Sequence, residues 1–132
     1  TLAQGLVEGY EGYLNFYGIG AYDIDPYNGG AAKAKLHGWT TPEKAIMGAA
    51  DWIRTNYVVP TVSSATVSGP QNTLYKMKWD IKGAIASGNP WHQYATGITW
   101  HGSIARIMNE CYSEYGITPY NIGLHYDMPQ YN

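Results

Sequence analysis

The sequence predicts a mostly helical α+β domain, and three patterns carry that expectation. Thr40-Thr41-Pro42-Glu43 reads as a helix start and is followed by apolar residues at three- and four-residue spacing. A second stripe of that spacing runs through Ile104, Ile107, Met108, Cys111 and Tyr115. Ahead of both, residues 6–14 are β-prone but broken by glycines.

In chain order, Leu6-Val7-Glu8-Gly9-Tyr10-Glu11-Gly12-Tyr13-Leu14 reads as a hairpin and would supply the small β element. Residues 15–23 are too glycine-rich for a helix and too apolar for a surface loop. Asp25-Pro26-Tyr27-Asn28-Gly29-Gly30 carries turn residues, and residues 31–36 form a short helix stopped by Gly38. At the next helix Thr40 and Glu43 have capping-box spacing, with Pro42 in the first turn. Its apolar face is Ile46, Ala49, Ala50, Ile53 and Tyr57, and Pro60 ends it. Residues 61–70 are a loop or a weak hairpin, 72–79 a helix or a strand with a short helix favoured, and 81–90 a glycine-punctuated loop. The last helix starts at Trp91 or Tyr94 and runs to Tyr115, where Gly116 and Pro119 stop it. Beyond it, residues 120–132 read as an extended surface tail.

At 132 residues the chain is one domain's worth, and 45% hydrophobic against 14% charged residues excludes a disordered chain. No apolar run is long enough to span a membrane. The net charge is -2, and Lys33, Lys35, Lys44, Lys76, Lys78 and Lys82 are scattered singly, which excludes an electrostatic grip on nucleic acid. Cys111 is the only cysteine, so no internal disulfide forms; on its stripe it reads as a small buried hydrophobe. The excess is in rings: 13 Tyr and 5 Trp against 1 Phe. Tyr and Trp combine a flat apolar face with a polar tip. Such rings suit sugars, which stack through C–H faces and hydrogen-bond through hydroxyls, though the same rings also fill cores. The chain opens on Thr1 with neither an initiator Met nor a basic leader, which reads as a boundary with something upstream missing.

His37, His92, His101 and His125 show no metal-ligand spacing, so no metal site is expected. Neither a nucleophile elbow nor a phosphate loop is present, and Gly18-Ile19-Gly20 stops short of a dinucleotide fingerprint. Of the carboxylates, Glu43 is accounted for as a cap, and Glu110 and Glu114 lie on a solvated face. Asp23 and Asp25, bracketed by Tyr22 and Tyr27, stand out. They are either turn residues or the paired carboxylates that glycoside hydrolysis uses as acid and as stabiliser or base.

Four ordered blocks bear on that choice: Asn15-Phe16-Tyr17-Gly18-Ile19-Gly20-Ala21-Tyr22-Asp23, Gly38-Trp39-Thr40-Thr41-Pro42-Glu43-Lys44-Ala45-Ile46, Gln71-Asn72-Thr73-Leu74-Tyr75-Lys76-Met77-Lys78-Trp79, and His92-Gln93-Tyr94-Ala95-Thr96. Together they resemble the peptidoglycan N-acetylglucosaminidases of glycoside hydrolase family 73, over residues 1–100. The resemblance implies a lysozyme-like fold, with a helical lobe and a small β lobe flanking a glycan groove. Residues 1–132 are then one glucosaminidase domain truncated at its N-terminus. It also implies a secreted, cell-wall or phage-virion hydrolase of the β-1,4 bond after N-acetylglucosamine. No cofactor is called for, and the partner is the peptidoglycan glycan strand, without nucleic acid or membrane insertion. The family's general acid is a Glu in a motif whose tail Thr1-Leu2-Ala3-Gln4-Gly5 resembles, which places the acid on an upstream segment or chain. This chain alone is then expected to be inactive, with Glu8 and Glu11 as fallback acids. Among residues present, the resemblance marks Tyr94 as catalytic and raises Asp23 and Asp25 as second carboxylates, unless the substrate's acetamido group serves. Asn15, Tyr17, Tyr22, Tyr75, Trp79, His92 and Gln93 follow as substrate-binding candidates. Three positions depart from the pattern: Lys78 for Arg, Asp80 for Asn and Gly97 for Asp. Lys in place of Arg loses the bidentate fork but keeps the charge, so any substrate contact there is weakened or was never made. The alternatives are a lytic transglycosylase of the same fold and a non-catalytic peptidoglycan-binding module.

Overall fold

The computed structural model describes residues 1–59, 69–118, 121–123 and 130. Pro60, the expectation for residues 61–68 and most of the expected tail lie outside the described residues. Every regular element among the described residues is helical, in keeping with the mostly helical, lysozyme-like expectation. The chain divides into two compact units, Thr1–Asn56 and Tyr57–Asn132.

The first unit is built on α1 (Pro26–Leu36) and α2 (Pro42–Ile53), preceded by a single 3₁₀ turn at Leu2–Gln4. The expected hairpin over residues 6–14 is not there. Gly9 and Gly12 take φ of 78° and 81°, and each bends the chain into a turn before a ladder can form. Tyr10 N–H donates to the Val7 carbonyl at 2.9 Å and Tyr13 N–H to Tyr10 at 3.2 Å, while Gly12 N–H reaches back to Gly5 at 2.9 Å and Leu14 N–H goes to Trp39 at 2.8 Å, single bonds that build no ladder.

The expected turn at residues 25–30 is instead the start of α1. Asp25 caps it, accepting from the Asn28 backbone and side-chain amides at 3.3 and 3.0 Å, and Pro26 takes the first helical position. Gly29 and Gly30 remain in the helix because nothing larger fits. A Cβ on Gly29 would run into the Gly20 carbonyl, and one on Gly30 would lie 2.7 Å from Leu2 Cδ1.

In α2 the cap is Thr41, which accepts from Lys44 N–H at 3.2 Å. Thr40 and Glu43 therefore form no capping box. Of the expected face Ala49 and Tyr57 are buried and Ile53 packs on the core, whereas Ile46 is 45% exposed, Ala50 is exposed, and Ala45 is buried in their place. Trp39 draws Ala45 inward. Its buried indole packs with Ile19, Ala34, Ala45 and Ala49, and Gly48 leaves the room that the ring needs. The helix runs on into a π-helical turn at Arg54–Val58.

The second unit contains α3 (Leu74–Lys78), α4 (Ile81–Ser87) and α5 (Trp100–Glu114). Thr73 caps α3, and Asp80 caps α4 by accepting from Gly83 N–H at 3.2 Å. The expected loop at 81–90 is thus a helix over most of its length, closed by Gly88 at φ 71°. α5 packs against α3 but buries no residue fully. Cys111 is exposed rather than buried, and Ile107 is 55% exposed. Its apolar stripe is real in sequence and only partly covered in the structure.

Candidate functional site

α5 begins later than its sequence suggests because residues 91–99 are held in an irregular path by side chains from outside the segment. His92 has φ 48°, the one non-glycine residue in the left-handed region among the described residues. Such a conformation persists where surrounding contacts over-determine it. Here Gln71, 2% exposed, supplies them: its Nε2 donates to the carbonyls of Lys76 at 2.8 Å and His92 at 3.1 Å. With both amide protons given away, Gln71 Oε1 accepts from His92 Nδ1 at 2.6 Å. Neutral His92 therefore carries its proton on Nδ1. Burial pushes the imidazole pKa below its ordinary value, and the charge of Asp80 partly opposes that shift.

Tyr94 follows two residues later. Its backbone N–H donates to the Met77 carbonyl at 2.9 Å. Its half-buried ring meets Tyr57 edge-on at 5.5 Å and Trp100 at 5.1 Å, and Tyr57 in turn stacks on His92 at 4.4 Å. The result is a four-ring cluster of Tyr57, His92, Tyr94 and Trp100.

Lys78, at the end of α3, points inward and is 1% exposed. Its Nζ donates to Gln93 Oε1 at 2.8 Å, to the Ala95 carbonyl at 2.7 Å and to the Thr96 carbonyl at 2.9 Å. It also lies 4.7 Å from the Trp79 ring centroid. Of the two expectations for Lys78, a weakened substrate contact or none, this arrangement fits the second: the ammonium is an internal donor whose three protons are all used. Sequence reasoning missed Lys78, Gln71 and Tyr57 as site-building residues. Beside Lys78 a cavity of about 350 Å³ is lined by Trp79, Ile81, Ile85 and Trp91, with Asp80 and Gln93 among its polar walls. Two indoles with polar groups nearby match the stacking and hydrogen-bonding needs of a sugar.

No family model matches the chain. It is 39% identical over 131 residues to the beta-N-acetylglucosaminidase of Bacillus subtilis (strain 168), covering 99% of this chain and 13% of that protein. It is 40% identical over 120 residues to the bifunctional autolysin of Staphylococcus aureus (strain MSSA476), covering 90% of this chain and 8% of that protein. The chain is a relative of the autolysin glucosaminidases. It spans only a small fraction of the length of these two relatives. Among solved structures, S. aureus glucosaminidase B is 46% identical with a TM-score of 0.48, covering 85% of this chain and 40% of that one. The crystal structure of a major bifunctional autolysin is 38% identical with a TM-score of 0.46, covering 86% and 42%.

The residues that likeness to glucosaminidases marked fall into both units. Tyr75, Trp79, His92, Gln93 and Tyr94 belong to the second, where Lys78 and Gln71 tie most of them together. Asn15, Tyr17, Tyr22, Asp23 and Asp25 belong to the first. Asn15 is 3% exposed, and its side-chain amide is spent on the carbonyls of Ile19 and Gly30 at 2.8 and 3.0 Å. It organises the 15–30 segment. Tyr17 and Tyr22 are 40% and 76% exposed, Asp23 is exposed, and Asp25 is the α1 cap. Of the fallback acids, Glu8 is exposed, and hydrogen bonds from its own backbone and from Gly9 hold the Glu11 carboxyl below the usual range. Among the described residues no three His, Cys, Asp or Glu side chains come together as a metal site, and no helix is long and apolar enough to cross a membrane.

Proposed function

We propose that this chain carries the Tyr94-bearing portion of a single wall-directed glucosaminidase domain that hydrolyses the β-1,4 bond after N-acetylglucosamine in peptidoglycan. The observation that supports it is the Tyr94 cluster. A tyrosine pinned through its backbone, with its ring against Tyr57 and Trp100, can offer a phenol O–H at a fixed position. That donor would meet the substrate's N-acetyl carbonyl or the negative charge developing as the bond breaks, while Trp79 offers a stacking surface. Kinship with a beta-N-acetylglucosaminidase and with bifunctional autolysins supports the same substrate class.

Bond cleavage also requires a proton donor at the leaving oxygen. Of the carboxylates among the described residues only Asp80 is buried, and its Oδ1 caps α4. We therefore assign the general acid to a residue outside this set, as the likeness to family 73 implies. For the second carboxylate, the geometry within the first unit favours Asp23 over Asp25, whose two oxygens are engaged by Asn28.

The test is digestion of purified peptidoglycan by the protein expressed from its complete reading frame, then borohydride reduction and mass spectrometry. New ends bearing N-acetylglucosaminitol are expected. Muramitol ends would overturn the bond assignment, and anhydromuramyl ends would make the protein a lytic transglycosylase. Wall binding without new ends would make it a glycan-binding module.

A further inference from the structure

We infer that Lys78 is a positioning residue for Tyr94: a buried ammonium that holds the Gln93 side chain just before that tyrosine and the Ala95 and Thr96 carbonyls just after it. The inference rests on the role proposed for Tyr94 above. Lys78 Nζ has three protons and three acceptors at 2.7–2.9 Å, belonging to residues 93, 95 and 96. These flank Tyr94 and leave it out. The Tyr94 amide is itself held by Met77, the residue before Lys78. The end of α3 thus grips residues 93–96 at four points and leaves the Tyr94 ring among its aromatic neighbours.

Holding a charge at 1% exposure is costly unless every hydrogen bond is made. A loop that only had to be packed would be served more cheaply by an apolar side chain. An ammonium among carbonyls gives short, charge-assisted bonds and a stiff segment. Stiffness is what a single hydroxyl donor needs, since a misplacement near 1 Å costs a reaction up to about a hundredfold. Gln71 has the corresponding role two residues earlier, on His92.

The experiment compares wild type, Lys78→Met, Tyr94→Phe and the double variant in the protein expressed from its complete reading frame. It reads amide hydrogen exchange, kcat and KM for solubilised glycan strands. Lys78→Met is expected to speed exchange at residues 94–97 while the α1 and α2 amides keep their protection. It should lower kcat by about tenfold or more with KM within about twofold, and the double variant should be no slower than Tyr94→Phe alone. Unchanged exchange at 94–97 would overturn the clamp. Faster exchange with unchanged kcat, or fully additive losses in the double variant, would overturn the positioning role and leave a structural one. If Tyr94→Phe retains full activity, the reading of Tyr94 fails and the positioning role with it, while the exchange data still report on the clamp separately. Should Lys78→Met not fold, Lys78→Gln, which keeps an amide donor without the charge, takes its place in the same comparison.

Discussion

Gln71 and His92, 21 residues apart, are joined twice: the Gln71 amide oxygen accepts from the imidazole Nδ1 at 2.6 Å, and the amide nitrogen donates to the His92 carbonyl at 3.1 Å. One buried side chain thereby sets both the tautomer of a histidine and its left-handed backbone. Tyr57 adds a third hold by stacking on the same ring. The consequence reaches Tyr94, because the chain leaves His92 in a direction that extended backbone would not give.

The first prediction is a pH dependence of stability. His92 is neutral in the native state because burial disfavours its cation, and its folded pKa lies below the ordinary 6.5. His37 shares the direction, through burial first and the charge of Lys33 second. As pH falls through about 6.5, the unfolded chain takes up protons that the native state does not, so stability drops on acidification and levels off above about pH 7. Proton NMR of the His92 ring should give a midpoint below 6.5, and thermal unfolding should weaken from pH 7.5 to 5.5. A His92 midpoint at or above 6.5 would contradict the argument.

The second prediction concerns Tyr94. Replacing it with Phe keeps the ring contacts with Tyr57 and Trp100 and removes one O–H. Turnover on peptidoglycan should fall by at least about tenfold, equivalent to about 1.4 kcal/mol of transition-state stabilisation, with Tm little changed. A loss of Tm with unchanged turnover would mean that the hydroxyl serves the fold.

The features legible in the sequence were those with local causes. The start of α2 at Pro42 and the Gly116 stop after α5 follow from residue types at fixed offsets, although the α2 cap is Thr41 and not the expected Thr40. The same local signals misled where tertiary contact decides. The Gly29-Gly30 pair reads as a turn, yet those glycines exist because the Gly20 carbonyl and Leu2 press against α1. The alternation at residues 6–14 looks β-prone, yet Gly9 and Gly12 at positive φ redirect the chain. At the site, Tyr94, His92 and Gln93 could be picked out by resemblance. The groups that hold them could not: Gln71 and Lys78 act across 15 to 21 residues, and nothing in local spacing reports such a distance.

The third prediction separates two neighbouring carboxylates. Asp25 caps α1, so Asp25→Ala should cost about 1 kcal/mol and lower Tm, whereas Asp25→Asn, an equally good cap, should leave both Tm and turnover near wild type. Asp23 is exposed and makes no cap, so Asp23→Asn should leave Tm alone and lower kcat more than it raises KM. Equal activity of both Asn variants and wild type would point to assistance by the substrate's own acetamido group.

The fourth prediction is that these 132 residues alone do not clear a cell-wall suspension. General acid catalysis commonly contributes about 10²–10⁴-fold, and near neutral pH it requires a carboxyl whose pKa is raised by burial. Among the described residues, Glu11 is shifted the other way by backbone hydrogen bonds, and Glu8, Asp23, Glu43, Asp51, Glu110 and Glu114 are exposed. Asp25 and Asp80 are helix caps. Turbidity loss is expected from the protein of the complete reading frame and not from the 132-residue chain. Glu8→Gln and Glu11→Gln, placed singly in that complete protein, should leave the rate of clearing unchanged. Clearing by the 132-residue chain that disappears in Glu11→Gln would make Glu11 the acid, and the backbone bonds that now favour its carboxylate would have to be broken when the glycan binds.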